Sequence, residues 1–180
     1  MIADDNRFSA FFNENKGVAE ARNFGILMAD TEYVMPLDGD DYIEHTYLER
    51  IVKFFEALPE YTSYYGKWKF IGFNADYMNA RLGNLHYTTY DNLLRSNSIH
   101  CSCAYKRQDA IDCGLFDPNL KGYEDWEFLI RLLNGDNKKV FWDSNVSLFY
   151  RQLKKSRTSD DHANYQQRFN DIMNKNKKIY

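Results

Sequence analysis

The chain has 180 residues, 44% hydrophobic and 27% charged, with a formal net charge of −3. That length suits one domain with a real core, and the slightly acidic balance argues against a broad nucleic-acid-binding face. No apolar run approaches the roughly 20 residues of a membrane span, and the first residues lack the basic-then-apolar pattern of a signal peptide.

Residues 1–14 read as irregular. A helix is predicted over 18–30, with Val18, Ala21, Gly25, Met28 and Ala29 on one stripe. Residues 33–37 form a short strand placed by Pro36. A second helix covers 46–58, with Leu48, Ile51, Val52 and Phe55 inward and Pro59 as its stop. Residues 61–74 are extended and aromatic, 90–95 a short helix, and 99–105 a strand. The helix over 124–133 ends at Asn134-Gly135. Short strands follow at 140–142 and 146–151. The last helix, 160–175, carries Tyr165, Phe169, Ile172 and Met173 on one side. Alternating strands and helices in the first half predict an α/β domain with a mainly parallel sheet. The expected organisation is one domain over 1–157 and an amphipathic helix over 158–180.

Cys101, Cys103 and Cys113 are an odd number of thiols, which fits a reducing cytoplasmic setting. Zinc would want four ligands, and no further Cys or His pair has suitable spacing, so small buried thiols are expected.

The most unusual local feature is Met35-Pro36-Leu37-Asp38-Gly39-Asp40-Asp41, three carboxylates within four positions at the end of a strand. A solvated turn that caps the next helix is one reading. A calcium loop is disfavoured, because the following residues turn apolar and helical too soon. The third reading is a clamp for Mn²⁺ or Mg²⁺, which take one or two carboxylates, waters and phosphate oxygens. In open α/β sheets ligands sit beyond the carboxyl ends of strands, and this turn lies at such an end.

Other segments bear on the choice. Asn15-Lys16-Gly17 leads into Ala21-Arg22-Asn23-Phe24-Gly25-Ile26. Downstream stand Gly114-Leu115-Phe116-Asp117, then Gly122-Tyr123-Glu124-Asp125-Trp126-Glu127-Phe128 with Arg131 on the same helix, then Tyr150-Arg151. Together, in this order and at these spacings, they resemble the family 2 glycosyltransferases, which have the GT-A fold, a Rossmann-like mixed sheet flanked by helices. The resemblance covers roughly residues 13–157.

The resemblance implies an inverting, metal-dependent glycosyltransferase that moves a sugar from a nucleoside-diphosphate sugar onto an acceptor hydroxyl, in polysaccharide or glycan synthesis. Asp40 is then the direct ligand of Mn²⁺ or Mg²⁺, with Asp38 near both ribose and metal. Asp41 binds a metal-bound water or caps the next helix. Arg22 faces the nucleotide, its alternative role being to brace the helix against an acid. Asp125 is the catalytic base that takes the acceptor proton. Glu124 orients the acceptor or neighbouring groups, and Trp126 offers a face to a sugar ring or belongs to the core. Arg157 lies in a basic stretch that could cover the diphosphate.

The acceptor is expected to be a glycan or lipid-linked. Lys175, Lys177 and Lys178 make the last helix a candidate for contact with the inner face of a membrane, docking on the domain being the plainer alternative. Two departures from the family stand out. Leu153 occupies a position where relatives often carry a His. The usual first β-α-β segment is also not recognisable ahead of Asn15, so an N-terminally truncated domain is expected. Such a domain would have an open sheet edge prone to self-association. A non-catalytic module of the same fold is the alternative reading.

Overall fold

A computed structural model of the chain describes residues 5–82, 88–154 and 164–179. In chain order the elements are α1 (Val18–Met28), β1 (Tyr33–Val34), β2 (Tyr42–Ile43), α2 (Tyr47–Ala57), β3 (Ser63–Gly72), α3 (Ala75–Leu82), α4 (Tyr90–Arg95), β4 (Ala104–Lys106), α5 (Arg107–Asp112), α6 (Glu124–Leu132), β5 (Val140–Gln152) and α7 (Tyr165–Lys175). Residues 155–163, which include Arg157, lie outside the described residues.

The five strands form one mixed sheet in the order β1-β4-β3-β5-β2. The mixed α/β architecture is the expected one, but its parallel part rests on a single pair. β3 and β5 run parallel over ten residue pairs, from Ser63 with Val140 to Gly72 with Gln152. The pairings β1–β4, β3–β4 and β2–β5 are antiparallel and two residues long each. The two short strands expected at 140–142 and 146–151 are the halves of β5. Its register jumps there: Gly66 pairs with Asp143, and Lys67 with Ser147.

That jump has a local cause. The Tyr47 hydroxyl accepts from the Gly66 N–H at 2.6 Å. A Cβ at position 66 would meet the Tyr47 ring at 2.6 Å and the Val146 carbonyl at 2.9 Å. Only glycine lets the tyrosine reach in this far.

Alternation along the strands sends neighbours to opposite faces. Tyr64 and Ala104 pack with Tyr47, Ile51 and Phe55 of α2 on one face. Tyr65, Cys103 and Tyr105 join α1, α4, α6 and α7 on the other, larger core. On α2 the buried ridge is Tyr47, Ile51 and Phe55, whereas Leu48 and Val52 are exposed, against expectation. The expected α1 stripe is also displaced. Ala19 and Ile26 are the buried residues, while Val18, Ala21, Gly25 and Ala29 line a groove of about 550 Å³ between α1 and the segment Tyr33–Gly39.

The last helix docks on the domain rather than standing apart. Ile172 is fully buried in the larger core. Lys175 Nζ pairs with Asp117 Oδ2 at 2.6 Å and Glu127 Oε1 at 3.0 Å, so its charge is neutralised within the domain. Among the described residues no helix is long and apolar enough to cross a membrane.

Candidate functional site

The site is assembled from α1 outward. Gly17, at φ 98°, starts the helix, and its N–H is held by the Asn15 side chain at 3.2 Å. One turn on, Arg22 is almost fully buried, with only 8% of its side chain exposed. Nη1 donates to Glu124 Oε1 at 2.9 Å, and Nη2 donates to Asp38 Oδ1 at 3.0 Å and Oδ2 at 3.3 Å. Its guanidinium also lies 5.6 Å from the Phe116 ring centroid. Burial alone would lower the proton affinity of Arg22. The carboxylates of Asp38 and Asp125 outweigh it and hold the guanidinium firmly charged.

Next to it, Asn23 uses its whole amide on the backbone of one residue. Its Nδ2 donates to the Phe116 carbonyl at 2.8 Å, and its Oδ1 accepts the Phe116 N–H at 2.8 Å. Arg131 fastens the same loop from the other side, donating to the carbonyls of Cys113 and Leu115 and to Glu127. The motifs read separately in the sequence are thus one connected set of hydrogen bonds.

The acidic turn is a tight one, Asp41 N–H donating to the Asp38 carbonyl at 3.0 Å. Its three carboxylates have different fates. Asp40 is exposed, and Asp38 is partly exposed beside Arg22. Asp41 faces inward with a fully buried side chain. Its Oδ1 accepts the Arg151 N–H at 2.8 Å, while Arg151 Nε donates to the Asp40 carbonyl at 2.9 Å. Asp41 therefore ties the turn to β5 and does not cap α2, whose N-terminal flank is Thr46. Burial pushes Asp41 up to about 6 despite the Arg151 hydrogen bond, with Asp40 and Asp38 adding to the rise.

Beneath the turn lies a residue that sequence reasoning passed over. His100 is buried between the rings of Trp68 and Tyr150. Its Nδ1 accepts the Ser102 N–H at 3.1 Å, which leaves the ring proton on Nε2, 4.0 Å from Asp41 Oδ2. Burial lowers its pKa to about 4. Cys101, also passed over as a bland thiol, lies with Sγ 3.9 Å from Asp38 Oδ2. Burial pushes its thiol up, so it stays protonated despite Arg22. The polar run around residues 97–102 was the available signal, but nothing in its spacing pointed at the acidic turn.

Asp125 opens α6. Gly122 at φ 114° and Tyr123 at φ 54° turn the chain sharply before it. The carboxylate is half-buried; Oδ1 accepts the Trp126 N–H at 2.9 Å and Oδ2 accepts from Asn97 Nδ2 at 3.4 Å. Burial raises its pKa, and the Glu124 carboxylate next to it raises it further, against the pull of Arg22. Glu124 itself is buried on Arg22. Trp126 is fully buried, and its indole N–H donates to the Leu93 carbonyl at 2.6 Å. It is a core residue, because a ring with no accessible face cannot stack on an acceptor sugar. Leu153 is about half exposed beyond β5 and supplies no ligand.

The donor set suits a hard cation. Asp40 presents an exposed carboxylate and Asp38 a partly exposed one, the one or two oxygen ligands that Mg²⁺ or Mn²⁺ takes beside water and phosphate. Among the described residues no group of three or more His, Cys, Asp or Glu side chains forms a ready-made cage.

Comparisons with known proteins point to glycosyltransferases. An uncharacterised glycosyltransferase of Haemophilus influenzae is 27% identical over 161 residues, covering 89% of this chain and 63% of that protein. The minor teichoic acid biosynthesis protein GgaB of Bacillus subtilis is 26% identical over 147 residues, covering 77% of this chain and 16% of that protein. The chain thus spans under two thirds of either relative. The crystal structure of S. aureus TarS residues 1–349 superposes with a TM-score of 0.59 at 17% identity, over 90% of this chain and 53% of that one. The same TarS segment in complex with UDP-GlcNAc gives 0.58 at 21% identity, over 84% and 43%. These likenesses show the GT-A fold. The profile of glycosyl transferase family 2 matches residues 2–113, more than half of the sequence, and the chain belongs to that family.

Proposed function

We propose that the chain carries out inverting transfer of a sugar from a nucleoside-diphosphate sugar to an acceptor hydroxyl, assisted by a divalent cation. The observation that carries this reading is the link from Asp38 through Arg22 to the start of α6. It brings the acidic turn and a half-buried carboxylate with raised proton affinity into one site.

In this reading Asp40 and Asp38 hold Mn²⁺ or Mg²⁺. The cation supplies charge neutralisation on the leaving diphosphate. Asp125 accepts the acceptor's proton as the hydroxyl attacks the anomeric carbon. Its raised proton affinity makes it a stronger base than an ordinary carboxylate, which suits that task. Asn97 and the Trp126 N–H orient the carboxylate. The free thiols Cys101, Cys103 and Cys113 fit work in a reducing compartment.

The complex of TarS with UDP-GlcNAc makes UDP the first probe. With Mn²⁺ present, UDP at 100 times its dissociation constant should add about 2.7 kcal/mol to stability, visible as a rise in Tm. Asp40→Asn should remove that rise. Asp125→Asn should keep it while transfer from UDP-GlcNAc falls by about 10²–10⁴-fold. Normal transfer by Asp125→Asn would sink the base assignment.

A second reading, the same fold without catalysis, draws on the outer edge of β1. Among the described residues that strand pairs with β4 on one side only, and it borders the groove along α1. Absence of any shift with UDP, GDP, CDP or dTDP and Mn²⁺ would favour it.

A further inference from the structure

Glu124 and Asp38 are far apart in sequence and sit on different elements, yet they share one buried guanidinium. Arg22 reaches Glu124 with Nη1 and Asp38 with Nη2. Glu124 is 1% exposed, too deep to meet an acceptor, while Asp38 keeps a third of its side chain open. A planar guanidinium fixes its two partners in one geometry, which an ammonium could not do. The neighbouring contacts lock Arg22 itself: Phe116 lies along its guanidinium, and Asn23 holds the Phe116 peptide.

We infer that Glu124 is a positioning residue that acts through Arg22 to set the Asp38 carboxylate for the donor, so that the start of α6 governs donor binding as well as proton transfer. The inference rests on the glycosyltransferase reading above. It departs from the expectation that Glu124 orients the acceptor, because its carboxylate is buried on Arg22 rather than open to an acceptor. Removing the Glu124 charge leaves Asp38 as the carboxylate hydrogen-bonded to Arg22 among the described residues. Asp38 is then drawn toward the buried guanidinium and away from the open side of the site.

The test is calorimetric binding of UDP in the presence of Mn²⁺ to the full chain, below its unfolding temperature. Glu124→Gln should weaken binding at least tenfold, and Arg22→Lys should do the same. A purely structural role would lower the Tm of Glu124→Gln and leave its dissociation constant unchanged, and that result would overturn the inference. Should Glu124→Gln fail to fold, Glu124→Asp, which keeps the charge but shortens the reach, serves the same comparison.

A second measurement needs no ligand. In urea unfolding, Asp38→Asn combined with Glu124→Gln should lower the midpoint by more than the two single changes added together, because only the pair strands Arg22. Additive midpoints would refute the coupling. If the wild type binds no nucleoside diphosphate, the transferase reading fails, and this cycle alone decides whether the two carboxylates act through Arg22.

Discussion

Two neighbouring side chains beneath the acidic turn respond to pH in opposite senses. His100, with its pKa lowered by burial to about 4, stays neutral in the folded chain while an unfolded His near 6.5 takes up a proton. Between those values the unfolded state binds more protons, so stability falls as pH drops from about 6.5 to about 4, by up to about 3 kcal/mol. Asp41, raised to about 6, works the other way. There the folded state binds more protons, and stability is lost as pH rises from about 4 to about 6. The wild-type chain should therefore show a muted dependence over this range. His100→Gln should uncover the Asp41 contribution, giving a Tm that declines as pH rises from 4 to 6. A Tm profile parallel to that of the wild type would show that His100 titrates normally in the fold. Neither behaviour could be read from the sequence, where Asp38, Asp40 and Asp41 look equivalent. Whether a carboxylate points into the protein or out of it is decided by what β5 brings alongside, here the Arg151 N–H.

At the scale of elements, α6 is held from behind. Tyr165 and Phe169 of α7 lie against Trp126, and Tyr165 meets the Tyr123 ring edge-on. Ile172 fills the core beneath, and Glu127 draws both Arg131 and Lys175 to the same helix. Ile172→Ala should cost about 2–5 kcal/mol in urea unfolding, the price of a cavity in a buried contact. A loss below 1 kcal/mol would mean α7 is only loosely docked. Strongly patterned helices such as α6 were legible, with bounds right to within one residue. On α2 the pattern misled because Leu48 and Val52 form an apolar ridge right beside Tyr47, Ile51 and Phe55. Helical periodicity cannot choose between adjacent ridges when both are apolar. Helices α3 and α5 escaped notice because their sequences, ADYMNARL and RQDAID, carry little apolar periodicity.

Across the whole molecule, the alternation of strands and helices correctly indicated an α/β sheet but overstated its parallel character. β1, β2 and β4 are two or three residues long and join antiparallel, so the long β3–β5 pair alone supplies the parallel ladder. The segments that meet at Arg22 were legible because the motifs come in a fixed order. Their division of labour was not. Order along the chain does not reveal that Trp126 is sealed in the core or that Glu124 lies buried on Arg22.

The Asn23–Phe116 pairing turns this assembly into something a clock can read. The Phe116 amide lies in the connection between α5 and α6, where loop amides ordinarily trade hydrogen for deuterium quickly. Here it is buried and donates to a side chain on α1, outside any helix or strand ladder. Its exchange rate therefore times the parting of α1 from that loop, separately from the melting of β3 and β5. Slow exchange in the wild type that becomes fast in Asn23→Ala, with the amides of β3 unchanged, would show the candidate site opening as a unit of its own. Equal acceleration at β3 would show that site and sheet come apart together.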